Sequence, residues 1–123
     1  VILVEAPIWI DHLRSGDAAL SLFLEAGSVV THPMVIGAVA LSGLRQRGLV
    51  LDALAGLPQA RLASDLEALD FIDRYALGGL GLDYGDIHLL AAVRLTPGSA
   101  LWTRDARLHE IALQLGLAFA PRD

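Results

Sequence analysis

The chain contains no cysteine. Disulfides and thiolate-ligated metal sites are therefore excluded. It contains no lysine either, so all nine basic residues are arginine. An apolar run of membrane-spanning length is also missing. The longest uncharged stretch, Ala26 to Leu44, is interrupted by Ser28, Thr31, His32, Pro33 and Ser42, whereas a span needs roughly 20 predominantly apolar residues. The opening residues, Val1-Ile2-Leu3-Val4-Glu5, lack a basic segment followed by a long apolar run and a cleavage site. They do not read as a secretion signal. These absences together give the expectation of a cytoplasmic protein. Excess positive charge is missing too: the formal net charge is −5, which counts against simple electrostatic binding of nucleic acid. It does not count against a metal site, where clustered carboxylates face cations and not phosphate.

Apolar residues make up 54% of the chain and charged residues 19%. That is apolar-heavy for a small domain, and enough apolar surface exists to offset chain entropy. A chain of 123 residues suits one domain over its whole length, 1–123, with one core. The apolar surplus predicts that a partner or a second copy covers some of the surface.

Strand and helix signals alternate from end to end. Val1-Ile2-Leu3-Val4 reads as a buried strand. Pro7 suits the first turn of a helix reaching about Leu13. A second helix runs from about Asp17 to Glu25, and Gly27 ends it. Ser28-Val29-Val30-Thr31 reads as a strand. Pro33 opens an apolar helix predicted to reach Arg45 or Arg47, stopped by Gly48, and Leu49 to Leu57 is predicted helical. Arg61-Leu62-Ala63 reads as a weak strand. Ser64 and Glu67 have the spacing of a capping box, and Leu66, Leu69, Phe71, Ile72 and Tyr75 follow at helical intervals. Asp83 or Tyr84 to Leu95 is predicted helical, Ala100 to Thr103 a strand, Asp105 to Leu115 a helix, and Leu117-Ala118-Phe119 a last short strand. The alternation predicts an α/β fold with a mainly parallel sheet. In open parallel sheets the functional crevice lies beyond the carboxyl ends of the strands. Glu5 follows the first strand and Asp105 closely follows Ala100–Thr103, so both carboxylates are expected at one crevice.

Five segments carry a resemblance to a known family. They are Ile2-Leu3-Val4-Glu5, then Ile8-Trp9-Ile10-Asp11-His12-Leu13, then Pro33-Met34-Val35-Ile36-Gly37. Tyr84-Gly85-Asp86-Ile87-His88-Leu89-Leu90-Ala91-Ala92 follows, and Leu101-Trp102-Thr103-Arg104-Asp105 is last. In this order and spacing the chain resembles the PIN-domain ribonucleases, particularly the VapC toxins, over nearly its full length. The resemblance implies a three-layer α/β/α fold with a mainly parallel central sheet. It implies an endoribonuclease site in which Glu5, Asp86 and Asp105 hold Mg²⁺ or Mn²⁺. It also implies RNA as substrate, a homodimer, and a cognate antitoxin docked near the site. Hard divalent cations prefer carboxylate oxygens. The chain departs from the family pattern at three places. Glu5 stands where the family usually has Asp, Ala6 where it has Ser or Thr, and Ala38 where it has a further acid.

Each candidate also has a plainer reading. Glu5 can simply end a strand. Asp86 can sit in the first turn of a helix capped by Asp83, a role compatible with a site. Asp105 can cap the last helix. Asp83 reads as a cap, with contact at the edge of the site as its alternative. His88 reads as structural, His12, His32 and His109 lack metal-ligand spacing, and Asp11 reads as solvated or structural. Arg45, Arg47, Arg104 and Arg107 are candidates for phosphate contact but read first as solvated side chains. Trp9 and Trp102 read as buried, with base stacking as the alternative. A catalytically impaired PIN domain that binds antitoxin or RNA is the second functional reading, and Ala38 is the residue that favours it. A phosphoacceptor receiver domain also places aspartates at strand ends, but such domains depend on a lysine, and this chain has none.

Overall fold

The computed structural model describes residues 1–120. Its centre is β1 (Ile2–Val4), flanked by β2 (Val29–Val30) and β3 (Ala100–Trp102) in the order β2-β1-β3. Both pairings are parallel, with Leu3 opposite Val30 and Leu101, and Val4 opposite Trp102. All three side chains of β1 are buried. A strand between parallel neighbours is covered on both faces, which is why it is an unbroken apolar run and not an alternating one. Single parallel bridges widen the sheet: Thr31 to Gln59 beyond β2, and Leu101 to Ala118 beyond β3.

Seven helices among the described residues surround this sheet, as the three-layer α/β/α expectation requires: α1 (Ala6–Ser15), α2 (Ala18–Glu25), α3 (Pro33–Leu41), α4 (Arg47–Ala55), α5 (Asp65–Arg74), α6 (Tyr84–Leu95) and α7 (Ala106–Gln114). Their starts are set locally. Pro7 sits in the first turn of α1, where its missing N–H costs nothing. Asp17 caps α2 by accepting from Leu20 N at 2.9 Å. Ser64 and Glu67 close a reciprocal capping box on α5, at 3.1 and 2.9 Å. His32 caps α3 by accepting from Met34 N through Nδ1 at 3.0 Å. That bond needs an unprotonated Nδ1, and burial, helped by nearby His88, pushes the His32 pKa down to about 4. None of the helices among the described residues is long and apolar enough to cross a membrane.

Three boundaries differ from the sequence reading. Helix α3 stops at Leu41, short of Arg45. Ser42 turns extended there, its hydroxyl donating to Val39 O at 2.6 Å, and this side-chain bond competes with the next helical turn. Gly48 is not a stop but lies inside α4, which begins after Gln46 adopts a left-handed φ of 53°. The predicted strand Arg61–Ala63 is not formed. The sheet edge falls earlier, where Thr31 N donates to Pro58 O and Ala60 N to Thr31 O, both at 2.9 Å. Ala60 is buried there.

The core closes around Leu3, Ile8, Leu20, Leu90, Leu101 and Leu108, all completely buried. Trp9 and Trp102 belong to it at 4% and 5% exposure. Trp102 stacks edge-on against Phe23 and Phe119, with ring centroids 5.9 and 5.7 Å away. Neither indole is free to stack on a base.

Candidate functional site

Because β1 and β3 run parallel, their carboxyl ends reach the same edge of the sheet. Glu5 extends the ladder past Val4, its N–H donating to Trp102 O at 3.0 Å. This register sets Glu5 beside Thr103. The Thr103 hydroxyl donates to Glu5 Oε1 and accepts from Asp105 N at 3.0 Å. One buried hydroxyl therefore ties the first acidic position to the turn that carries the last. Glu5 is also the residue preceding α1, yet its side chain makes no capping bond. Its carboxylate is thus left for the cleft.

The N-terminus of α6 brings the second acid. Asp83 and Asp86 form a reciprocal capping box: Asp86 N donates to Asp83 Oδ1 at 2.8 Å, and Asp83 N to Asp86 Oδ2 at 3.1 Å. The adjoining turns are held to α5, since Tyr84 Oη donates to Asp65 Oδ1 at 2.8 Å and His88 Nε2 lies 3.2 Å from the same oxygen. Helix α3 forms the facing wall. Val35 and Val39 on α3 are buried, while Met34 and Ala38, one turn apart, face the cleft. Glu5, Ala38, Asp83 and Asp86 line this cleft of about 210 Å³ together with Ala6, Pro7, Met34, Val35, Gly85 and Leu89.

The expected residues are therefore brought together unequally. Glu5 and Asp86 share the cleft. Asp105 does not line it; Asp105 caps α7, accepting from Leu108 N at 2.9 Å. Its charge nevertheless reaches both others. Burial raises the pKa of Glu5 against the opposing Thr103 bond, and the charges of Asp86, Asp105 and Asp83 raise it further. Burial likewise raises the pKa of Asp86, with Asp83 and Asp105 adding to the rise through their charge. Burial and like charge act in the same direction on both carboxylates. Among the described residues, no three histidine, aspartate or glutamate side chains are arranged as they stand to hold a metal ion.

Most of the remaining candidates have structural partners. His12 accepts from Asp17 N at 2.9 Å. Arg104 pairs with Asp11 and, at 3.1 Å, with Asp17. Arg47 and Arg107 donate to the carbonyls of Ala40 and Leu80, at 3.2 and 2.8 Å. Arg45 lies with Arg14 in a separate groove. One contributor escaped the sequence reading: Thr103 was read only as the end of a strand, although its place two residues before Asp105 was a usable signal. Asp83, read as a cap with contact at the edge of the site as its alternative, caps α6 and also lines the cleft.

Comparison with known proteins gives a full-length match. The chain is 42% identical over 120 residues to the protein named Ribonuclease VapC32 in two strains of Mycobacterium tuberculosis, CDC 1551 and H37Rv. The alignment covers 98% of this chain and 97% of each relative. No protein-family model matches the chain.

Proposed function

The chain belongs to the VapC-type PIN-domain ribonucleases, and from that premise we propose that it is a metal-dependent endoribonuclease toxin neutralised by a cognate antitoxin. The whole of 1–123 is read as one PIN domain acting on RNA in the cytoplasm. The observation that carries this reading is the meeting of Glu5 and Asp86 in one cleft, each with its proton affinity raised by burial and by the neighbouring carboxylates. Carboxylate oxygens are the donors that a hard divalent cation, Mg²⁺ or Mn²⁺, prefers, and Glu5 and Asp86 offer them in one cleft. Glu5, Asp86 and Asp105 are the residues proposed to hold it. A divalent cation there would lower the pKa of an attacking water and offset charge building on the phosphodiester. Thr103 fixes Glu5 Oε1, so the Glu5 carboxylate is oriented before any ligand arrives. The capping box does the same for Asp86.

A slow enzyme, or a binding module, is the second reading. Ala38 favours it, because a methyl group faces the cleft where the family places an acid.

The pKa shifts give the sign of a stability test. Glu5 and Asp86 are shifted upward from ordinary values of 4.5 and 3.8. Their protonated forms favour the fold, a contribution present below those ordinary values and lost as pH rises through the raised ones. Above the raised values ionisation comes at a cost to the fold, which a bound cation would offset. Mn²⁺ should therefore raise the melting temperature at pH 7, with the increment shrinking as the pH falls toward 4. In the same buffers, cleavage of a broad RNA panel should stop in EDTA, return with Mn²⁺, and stop again on adding the cognate antitoxin. A melting temperature indifferent to Mn²⁺ across this range would remove the proposed site.

A homodimer belongs to the same reading. Leu41 and Leu66 are 91% and 81% exposed, and a second copy would cover side chains of this kind where they form a contiguous patch. Sedimentation at micromolar concentration should show about twice the 13.1 kDa chain mass, since a stable interface buries on the order of 1,000 Å² or more. A lone monomer would rule the dimer out.

A further inference from the structure

Positive charge gathers at one place on this acidic chain. Arg14, in the last turn of α1, and Arg45, in the turn before α4, line a groove of about 710 Å³ with Leu13, Gly43, Leu44 and Val50. Both arginines are exposed. Among the described residues, no carboxylate lies within ion-pairing distance of either, whereas Arg74 and Arg104 are paired with aspartates. Arg47 adds a third cation beside them, its guanidinium donating to Ala40 O, and the first turn of α4 holds no acid. Arg14 has a plainer use, since a cation at the end of a helix is favourable. That does not account for Arg45 and Arg47. They stand at the start of α4, where positive charge is unfavourable. A chain of net charge −5 thus keeps three neighbouring cations without a carboxylate to balance them.

We infer that this groove holds the backbone phosphates of single-stranded RNA on its way to the acidic cleft. This rests on the ribonuclease reading given above, and deepens it by naming where the substrate is held outside the cleft. The geometry joins the two places. Ala6 and Pro7 line the cleft, and Leu13 and Arg14 line the groove. The second pair stands about two turns beyond the first, so one face of α1 serves both, roughly 10 Å apart along its axis. Helix α3 makes the same connection: Ala38 lines the cleft, and Gly43, just past the end of the helix, lines the groove. A few nucleotides of RNA span that distance. The cleft itself, lined by Glu5, Asp83 and Asp86, repels phosphate, so attraction for a polyanion must come from outside it. Arginine suits the task, because its planar fork matches phosphate oxygens. Leu13, Leu44 and Val50 add an apolar floor against which an unstacked base can lie. An acidic protein segment would satisfy the arginines as well, but continuity with the cleft favours the strand that has to reach it.

The test uses a labelled single-stranded RNA of mixed sequence, titrated in EDTA so that it is bound but not cut. The full chain is compared as the parent, Arg14→Gln, Arg45→Gln, the double variant and Arg61→Gln. Arg61 is exposed and lies outside the groove, so it controls for net charge. The double variant should bind about 10-fold or more weakly at low salt, as expected for lost hydrogen bonds between charged groups. Its slope of log affinity against log salt should shrink by about 0.7 for each arginine removed. Arg61→Gln should change neither. In Mn²⁺, the RNA concentration that half-saturates cleavage by the double variant should rise by more than the rate at saturation falls. Arg45 sits in an exposed turn, so Arg45→Gln alone carries the test if Arg14→Gln loosens α1. Should the double variant keep the parent's affinity and salt slope, or should Arg61→Gln weaken binding as much, the groove is not a phosphate site and the inference is wrong. It is equally wrong if the double variant binds RNA as the parent does but no longer captures the cognate antitoxin, since the groove then receives protein. A parent that neither binds nor cuts RNA would instead overturn the ribonuclease reading, and this inference with it.

Discussion

Asp86→Asn is expected to lower the rate of RNA cleavage by at least about 100-fold. The substitution keeps the shape of the side chain and one acceptor oxygen. The bond from Asp83 N, at 3.1 Å, can therefore persist and α6 should still begin at Tyr84. What disappears is the charge and one potential ligand oxygen from the lining of the cleft. Removing a group that merely orients a metal ligand typically costs 10–100-fold, and loss of a ligand itself should cost at least as much. The opposing contribution is small and points the other way: relieving repulsion with Glu5, Asp83 and Asp105 should raise the metal-free melting temperature slightly. Single-turnover cleavage beside a melting curve separates the two effects. A stable variant that cleaves within about threefold of the parent would mean that Asp86 is only a helix-start residue.

Ala38→Glu is expected to do the reverse, raising the cleavage rate by about 10-fold or more. Ala38 is exposed on α3 and faces the cleft rather than the core, so a longer side chain can extend into the roughly 210 Å³ of space without displacing packed atoms. Alanine to glutamate costs the helix little. The new carboxylate would approach from α3 on a flexible stem. In EDTA, a further negative charge beside Glu5, Asp83 and Asp86 should lower the melting temperature. The variant should thus be less stable without metal, faster with it, and more dependent on it. That pairing of lost stability with gained function is the expected trade at a charged site.

The sequence was most informative where the deciding bond is local. Asp17, Ser64 with Glu67, and Asp83 with Asp86 all begin helices through bonds spanning three residues, and short spacing is visible in a string of letters. The apolar run of β1 and the turns around it were legible for the same reason. Boundaries set by distant partners were not. The sheet edge settles at Gln59 because Thr31 is already fixed beside β1, and Gly48 enters α4 because the chain turns at Gln46. The site divides in the same way. Glu5 at a strand end and Asp86 in a helix start could be read, with the family resemblance, as facing one crevice. The Thr103 bridge depends on the register of Val4 against Trp102, which no local pattern encodes. The double position of Asp83, cap and cleft wall at once, depends on how α6 meets α3. Asp105 shows the converse: its plain reading as a cap is realised in Leu108 N at 2.9 Å, and its charge alone reaches the other acids.

The most direct measurement is the cleavage rate of a broad RNA panel at saturating Mn²⁺ for the parent and Ala38→Glu side by side, each repeated in EDTA. The expected result is slow cleavage by the parent, a rate at least about 10-fold higher for Ala38→Glu, and none from either in EDTA. Brisk cleavage by the parent that Ala38→Glu leaves unchanged, or that persists in EDTA, would contradict a cation-dependent cleft weakened at position 38.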